Sequence, residues 1–302
     1  MYLLSGCLIA PMVAAPSDPA AVSMTRQLGG YHGEGVDAVI RAGRPALPGL
    51  RAVIRDPRSH RLAVPGAVYA VGQIPGDRTE FVDILLYRLT DAHESTRCAV
   101  IETLTSIPEW RNLTPMITLL ADDGVLVHNA AVRTLATRGT SAEAIAISAW
   151  MKTPAFPRHL DYFRERVEDL EAYLQKLPPL PKEEKARPAR AEFKNLLSDQ
   201  TGQRLSAVRR LAELAGPSDL SPVAAMLFDR EVDVRKAAAD ALAQAGDLSA
   251  LKAIDCWIRG PAWQWYPEDV RPHYRAARDR LAYRLSQIPA VQLAPPPRRV
   301  GR

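Results

Sequence analysis

The sequence predicts an all-α fold, an α-solenoid of stacked antiparallel helix pairs, and three observations support this prediction. Small and apolar residues recur at i, i+3, i+4, i+7 and i+8, the pattern of one buried helix face. The pattern returns at intervals in the thirties, as stacked helical repeats require. Aromatic residues make up only 6% of the chain, which suits thin helical layers, and no alternating β-branched run predicts a sheet. The clearest copies are Val234, Ala237, Ala238, Ala241 and Leu242 and, 107 residues earlier, Val127, Ala130, Ala131, Thr134 and Leu135.

The first helix of each predicted pair contains a proline near its start and is followed by an aspartate. Proline is tolerated in the first turn because its missing N–H would have no intrahelical partner. The aspartate between the two helices can cap the second helix by accepting its free N–H groups. The residues that match at an offset of 107 are Pro222, Ala224, Leu227 and Asp229 with Pro115, Ile117, Leu120 and Asp122. Each repeat is therefore expected to contain a first helix, a capped turn and a second helix.

A basic residue lies five or six positions after each inter-helix aspartate, at the start of the second helix. These basic residues are Arg61, Arg97, His128, Arg204 and Arg235. With the proline and the aspartate, they resemble the HEAT repeat family, including the shorter HEAT-like units of phycobilisome lyases. The resemblance covers roughly residues 34–140 and 190–255, and it implies a ladder of aspartates and arginines between neighbouring repeats. It thus implies structural roles for Asp91, Arg97, Asp229 and Arg235, the alternative being that this basic ladder lines a groove.

The composition divides the chain into five segments. We expect an N-terminal leader at 1–33, an N-terminal HEAT-like stack at 34–177, a Pro/Lys/Glu-rich connector at 178–190, C-terminal HEAT-like repeats with a capping helix at 191–288, and a Pro/Arg-rich tail at 289–302. The dense prolines make the connector semi-rigid. Two interpretations of it stay open, a hinge that lets the two stacks reorient and a simple loop insertion.

The leader offers a candidate lipidation site. Leu4 to Cys7 reads like a bacterial lipobox, in which Cys7 would be lipidated and anchor the chain to a membrane. The stretch before Cys7 is short and lacks a basic residue, unlike an ordinary signal peptide. A cell-envelope location and a mildly apolar leader on a cytoplasmic protein therefore both stay open.

The sequence carries no motif that predicts catalysis. It lacks a zinc-protease H-E-x-x-H, a P-loop and a G-x-S-x-G elbow, and its six histidines are scattered singly, without the i, i+4 spacing of metal ligands. We therefore expect no enzyme activity, no cofactor and no metal. Cys98 and Cys256 are expected to be free thiols, because stacking should keep them far apart.

The predicted function is that of a monomeric protein-binding scaffold, because a solenoid leaves a long curved surface of second helices exposed. The partner, which the sequence does not identify, is expected to bind along the concave face. The candidate residues flank the buried stripes of the second helices: Glu102, Arg133, Arg209, Arg210 and Asp240.

Two alternatives arise near the C-terminus. From residue 271 onward there are eight arginines against one acid, Asp279, which suggests binding to an anionic membrane or to nucleic acid. Nucleic acid is disfavoured because the repeats themselves are near neutral. The candidate anion-binding residues are Arg271, Arg275, Arg278, Arg298 and Arg299. A cluster of Trp257, Trp263, Trp265 and Tyr266 either seals the last repeat or stacks on a ligand, and a ligand there would favour a third alternative, a lyase-like or glycosylase-like HEAT enzyme.

Overall fold

The fold is all α-helical throughout the part of the chain that the structure describes. The structure is a computed structural model that describes residues 33–56, 62–156, 188–260 and 268–288 of the 302, together with Leu28, Ser59, Leu170, Ala172 and Tyr266. These residues form helices and turns and no strand, which confirms the predicted all-α class. The predicted lipidation site Cys7, the tail arginines Arg298 and Arg299, and most of the connector lie outside the described residues. The chain divides into two compact units, Met1–Gly76 and Asp77–Arg302.

The described part of the first unit is a small three-helix cluster. Its helices are α1 (Glu34–Ala42), α2 (Leu47–Arg55) and α3 (Ala63–Gln73). α3 packs against both α1 and α2, and their shared core contains the fully buried side chains of Leu50, Ile54 and Val68. α2 carries its proline in the first turn, as the sequence predicts.

The second unit contains eleven α-helices among its described residues. They are α4 (Val82–Arg88), α5 (Glu94–Thr105), α6 (Thr114–Leu119), α7 (Val125–Arg138), α8 (Ser141–Met151), α9 (Pro188–Phe193), α10 (Thr201–Leu214), α11 (Ser221–Ala225), α12 (Val232–Ala245), α13 (Leu248–Arg259) and α14 (Arg271–Ser286). Prolines occupy the first turns of α6 and α11.

The inter-helix aspartates shape the turns before the second helices. Asp91 accepts a hydrogen bond from the N–H of His93 at 3.0 Å, Asp122 accepts one from Gly124 at 2.8 Å, and Asp229 accepts one from Glu231 at 2.8 Å. The residue that donates is in each case the last one before the helix. The predicted capping role is therefore wrong in detail: the aspartates order the turn before each helix, and the N-cap residues of these three helices make no side-chain capping hydrogen bond.

The second unit has an inner and an outer set of helices. The inner set consists of α4, α6, α8, α11 and α13. Every residue of α6 and of α11 is buried. The outer helices are α5, α7, α10, α12 and α14. Their outward side is exposed on α7, α10 and α14 and mostly half-buried on α5 and α12. α5 packs beside α7, whereas α10, α12 and α14 pack side by side in that order.

The inner helices join the parts of the chain before and after the connector. α13 packs against α4 and α6, and α11 packs against α6 and α8. Asn112, which precedes α6, donates to both carboxylate oxygens of Asp247 at 3.0 Å and to the carbonyl of Pro217 at 2.9 Å. These contacts differ from the expectation that each helix pair contacts only its neighbours along the sequence. The part of the predicted N-terminal stack that follows residue 76 therefore packs with the predicted C-terminal repeats within one compact unit.

The two cysteines of the described helices are free. Cys98 is half-buried and Cys256 is buried. Sγ of Cys256 on α13 lies 4.0 Å from the carbonyl oxygen of Leu89, which follows α4. Burial and then the carboxylate of Glu102 raise the pKa of the Cys98 thiol to about 11, and burial also raises the pKa of Cys256. Both groups are therefore protonated, weakly reactive thiols near neutral pH.

Candidate functional site

Paired arginines and aspartates link successive outer helices of the second unit. Arg97 at the start of α5 donates through Nε and Nη2 to Asp122 at 3.1 and 2.7 Å, and Arg204 in α10 donates in the same way to Asp229 at 2.7 and 3.0 Å. Each pair spans 25 residues, so it joins one helix pair to the next. Such bidentate pairs fix geometry as well as contributing energy. Two arginine–aspartate pairs of the kind that the resemblance implies are therefore present.

The remaining members of the ladder bind main-chain or local partners. Arg235 has no exposed side-chain surface, donates to the carbonyls of Asp229 and Arg230 at 2.9 Å, and pairs with Glu268. Asp91 pairs with Arg88, three residues before it, at 3.0 Å. His128 takes the arginine position in α7, and its Nδ1 lies 2.8 Å from the carbonyl oxygen of Leu120. These side chains stabilise the turns of the fold.

The five predicted partner-binding residues lie on two separate pairs of outer helices. Glu102 on α5 and Arg133 on α7 form an exposed ion pair at 2.7 Å. Arg209 is exposed on α10, and its neighbour Arg210 pairs with the largely buried Glu192 at 3.1 Å. Asp240 on α12 accepts from His273 at 3.1 Å and also pairs with Arg280. The structure therefore places Arg209 and Arg210 on α10 and Asp240 on the neighbouring helix α12. Glu102 and Arg133 form a separate pair on α5 and α7.

The basic helix α14 uses most of its arginines to hold itself to the protein. Arg271 donates two hydrogen bonds, from Nε and Nη2, to the two carboxylate oxygens of Asp269, both at 2.8 Å. These bonds lower the pKa of the Asp269 carboxyl to about 2. Arg278 bonds Asp255 at 3.0 Å, Arg280 bonds Asp240, and Arg284 donates to the carbonyl of Gly246. Arg275 is exposed. Four of the five arginines of α14 are thus engaged with internal acceptors, which lowers the positive potential available to an external anion.

The described part of the aromatic cluster is buried beneath α14. Trp257 is 1% exposed, and its ring lies 4.3 Å from that of Tyr274 between centroids. Tyr274 in turn donates its hydroxyl proton to the carbonyl of Leu227 at 2.9 Å, and Tyr266 donates to the carbonyl of Phe228. These three rings fill the space between α12, α13 and α14, as the sealing interpretation predicts. Trp263 and Trp265 lie outside the described residues.

A polar cleft that the sequence does not suggest opens between α4, α13 and α14. We call it the α4–α13 cleft. Its volume is about 380 Å³, within the ~300–1,000 Å³ range of small-ligand sites. The residues that line it are Tyr87, Arg88, Thr90, Asp91, Ala92, Lys252, Asp255, Arg259 and Arg278. The cleft exists because α13 packs against α4, which brings residues 87–92 next to residues 252–259.

The charges of the α4–α13 cleft are linked around one buried aspartate. Asp255 accepts from Lys252 Nζ and from Arg278 Nε, both at 3.0 Å. Lys252 is only 3% exposed, and its Nζ lies 4.1 Å from the centroid of the Tyr87 ring, in a cation–π contact. Arg259, which is exposed, donates to the carbonyl of Thr90 at 2.8 Å. Four basic residues against two acidic ones leave the lining with a net positive charge.

Comparison with known proteins leaves the chain without a named family. Comparison with protein-family models found no family that matches, and comparison with curated proteins found no match either. The described helices show neither a metal site nor a membrane span. Within the described ranges, no group of three or more His, Cys, Asp or Glu side chains is arranged to hold a metal ion. None of the helices that the structure describes has the length and apolar character needed to cross a lipid bilayer.

Proposed function

We propose that this protein is a non-enzymatic binding module whose second unit captures a protein partner on the joined outward flanks of α10, α12 and α14. We call these flanks the outer surface. The proposal includes a HEAT-like origin for the helix pairs, arranged as two runs whose first helices pack against each other. Support for this arrangement comes from the Arg97–Asp122 and Arg204–Asp229 links, which share a spacing of 25 residues.

The observation that carries the proposal is the side-by-side packing of three long outer helices. Their lengths of 14, 14 and 16 residues correspond to about 21–24 Å at about 1.5 Å per residue. Packed helices lie ~8–10 Å apart between their axes, so the three helices together present a face of roughly 600 Å². This figure treats the face as flat, and projecting side chains add to it. A standard protein interface buries about 800 Å² per partner. The outer surface is close to this size, whereas α5 and α7 together offer only two helices.

The side chains of the outer surface favour a protein partner over a bulk anion. Arg209 is exposed, while Arg210 and Asp240 are held by ion pairs to Glu192, His273 and Arg280. Both signs of charge are present, and the paired side chains are already partly ordered. Arginines of this kind are common at binding hot spots, and ordering them beforehand reduces the entropy lost on binding. The alternative of anion binding through α14 has less support, because its arginines mostly hold internal acceptors.

The test is affinity capture by the full-length chain, followed by identification of the retained proteins. Wild type and an Arg209→Glu/Arg210→Glu variant are compared after nuclease treatment, at low and high salt. A hot-spot loss above about 1.4 kcal/mol corresponds to at least roughly tenfold weaker binding, so we expect the variant to lose a partner that wild type retains at high salt. The matched control is Arg133→Glu, an exposed arginine on α7, which should retain that partner.

Two outcomes would contradict the proposal. One is equal recovery of every protein by wild type and the Arg209→Glu/Arg210→Glu variant. The other is recovery of nucleic acid or lipid alone, lost as salt is raised, because such steep salt dependence is the property of anion binding through released counterions. That second result would favour the basic helix α14 and the tail.

A further inference from the structure

The α4–α13 cleft contains cationic groups whose hydrogen-bonding capacity exceeds the acceptors around them. Arg278 donates Nε to Asp255 and Nη1 to Asp279, and Arg259 donates Nη1 to the carbonyl of Thr90. A guanidinium group carries five N–H donors. Each of these arginines therefore keeps donors that the contacts above leave for a ligand. They belong to different helices, α13 and α14, and so approach the cleft from different sides.

The buried Lys252 adds positive charge that its surroundings do not cancel. Its carboxylate partner, Asp255, is shared with Arg278. Arg88 and Asp91 compensate each other in a pair at 3.0 Å. The three cations Lys252, Arg259 and Arg278 thus share two carboxylates, Asp255 and Asp279, of which Asp279 is exposed. A charge buried away from water acts through a lower dielectric and is less screened by salt than a surface charge.

The geometry points to a phosphate site. We propose that the α4–α13 cleft binds the phosphate group of a soluble phosphate monoester. A phosphate monoester carries close to two negative charges near neutral pH and three strong acceptor oxygens. The excess of cations over carboxylates in and around the cleft favours an anion. Arginine forks suit such oxygens, since they form two parallel hydrogen bonds to one group. A carboxylate has half the charge and two oxygens, so it would satisfy fewer of the donors.

This site is distinct from the outer surface proposed to bind a protein. The cleft lies where residues 87–92 meet α13, whereas the outer surface uses the flanks of α10, α12 and α14. Arg209→Glu/Arg210→Glu, the variant that tests protein capture, leaves every residue of the cleft unchanged. Failure of one proposal therefore does not affect the other.

The test is calorimetric titration of the full-length chain with inorganic phosphate, in a phosphate-free buffer of low ionic strength. We expect saturable binding of one phosphate per chain. Loss of a hydrogen bond to a charged group costs about 1.5–3 kcal/mol, so Arg278→Gln should weaken binding at least roughly tenfold. Arg259→Gln, which removes a donor from the other side of the cleft, should have a similar effect. Lys252 still pairs with Asp255 in the Arg278→Gln variant, and circular dichroism would verify that the fold is retained.

The matched control is Arg275→Gln. It removes the same charge from the same helix, but Arg275 is exposed and does not line the cleft. We expect its affinity for phosphate to stay within about twofold of wild type, because an exposed charge contributes little at a distance. Absence of saturable binding, or an equal loss in Arg275→Gln and Arg278→Gln, would overturn the proposal. Binding only to vesicles that contain phosphatidic acid, with none to soluble phosphate, would overturn it as well.

Discussion

Replacing Asp229 with asparagine is expected to lower the free energy of unfolding by about 3–5 kcal/mol, the usual cost of removing one partner of a buried ion pair. The substitution keeps the shape of the side chain but removes the charge that faces Arg204. Both side chains are only 6% exposed, so water cannot replace the lost partner. The guanidinium of Arg204 would then stay buried beside a neutral amide. Urea unfolding of wild type and Asp229→Asn measures this difference. The two free energies are compared when both proteins show the same dependence of the free energy of unfolding on urea concentration.

The control for that experiment is Asp123→Asn. Asp123 also contacts a ladder arginine, Arg97, but at 3.4 Å and with 77% of its side chain exposed. Exposed ion pairs contribute about 0–1 kcal/mol, so this variant should unfold close to wild type. If Asp229→Asn were as stable as Asp123→Asn, the ladder would not hold the outer helices together.

Truncating Trp257 to alanine is expected to cost about 3–5 kcal/mol, the range for deleting a large buried aromatic side chain. The indole is packed between three other rings, with centroids at 4.3 Å to Tyr274 and 6.4 Å to both Phe228 and Tyr266. Removing it would leave a cavity under α14 and would release Tyr274 from its packing. Urea unfolding again gives the free energy, and hydrogen exchange would locate the loss in α14.

Tyr283→Ala on α14, the helix that covers Trp257, is the control for Trp257→Ala. Its side chain is 68% exposed, and substitutions at such surface positions usually change stability by less than about 0.5 kcal/mol. A Trp257→Ala variant as stable as Tyr283→Ala would contradict the sealing role of the aromatic cluster.

Local features of the fold could be predicted from the sequence because they depend on short spacings. The aspartate before each second helix and the arginine five or six residues later are close in sequence, and they recur at a fixed spacing. The aspartate orders the turn and does not cap the helix as predicted. Asp122 and Asp229 do pair with arginines, as the resemblance implies. The seal formed by Trp257 was also predictable, since a terminal repeat must cover its open face.

The packing between the helices before the connector and those after it could not be predicted, because it depends on contacts between segments distant in sequence. Asn112 and Asp247 are 135 residues apart, and periodicity does not indicate which apolar helix packs on which. One signal was present, however. The segment from Ser221 to Phe228 is apolar on nearly all sides, and a helix of that kind is expected to be covered on every face.

The α4–α13 cleft was missed for the same reason. Lys252 and Asp255 are spaced as an ordinary surface pair on a helix, and nothing near them in the sequence indicates that Tyr87 covers the lysine. Arg278 was identified as a candidate anion ligand from its place in a basic helix, but its partner Asp255 was not. The outer-surface residues Arg209, Arg210 and Asp240 were found because helical spacing predicts which flank of a helix is exposed.

The helices before and after the connector pack together, and this packing positions both the cleft and the outer surface. A double-mutant cycle between Asn112→Ala and Asp247→Ala tests this packing most directly. Asp247 also caps α13 through the N–H groups of Ser249 and Ala250, and the cycle subtracts that separate loss. Residues in contact show coupling of about 0.5–3 kcal/mol, which is the predicted result. Additive losses, with no coupling between the two positions, would contradict this packing.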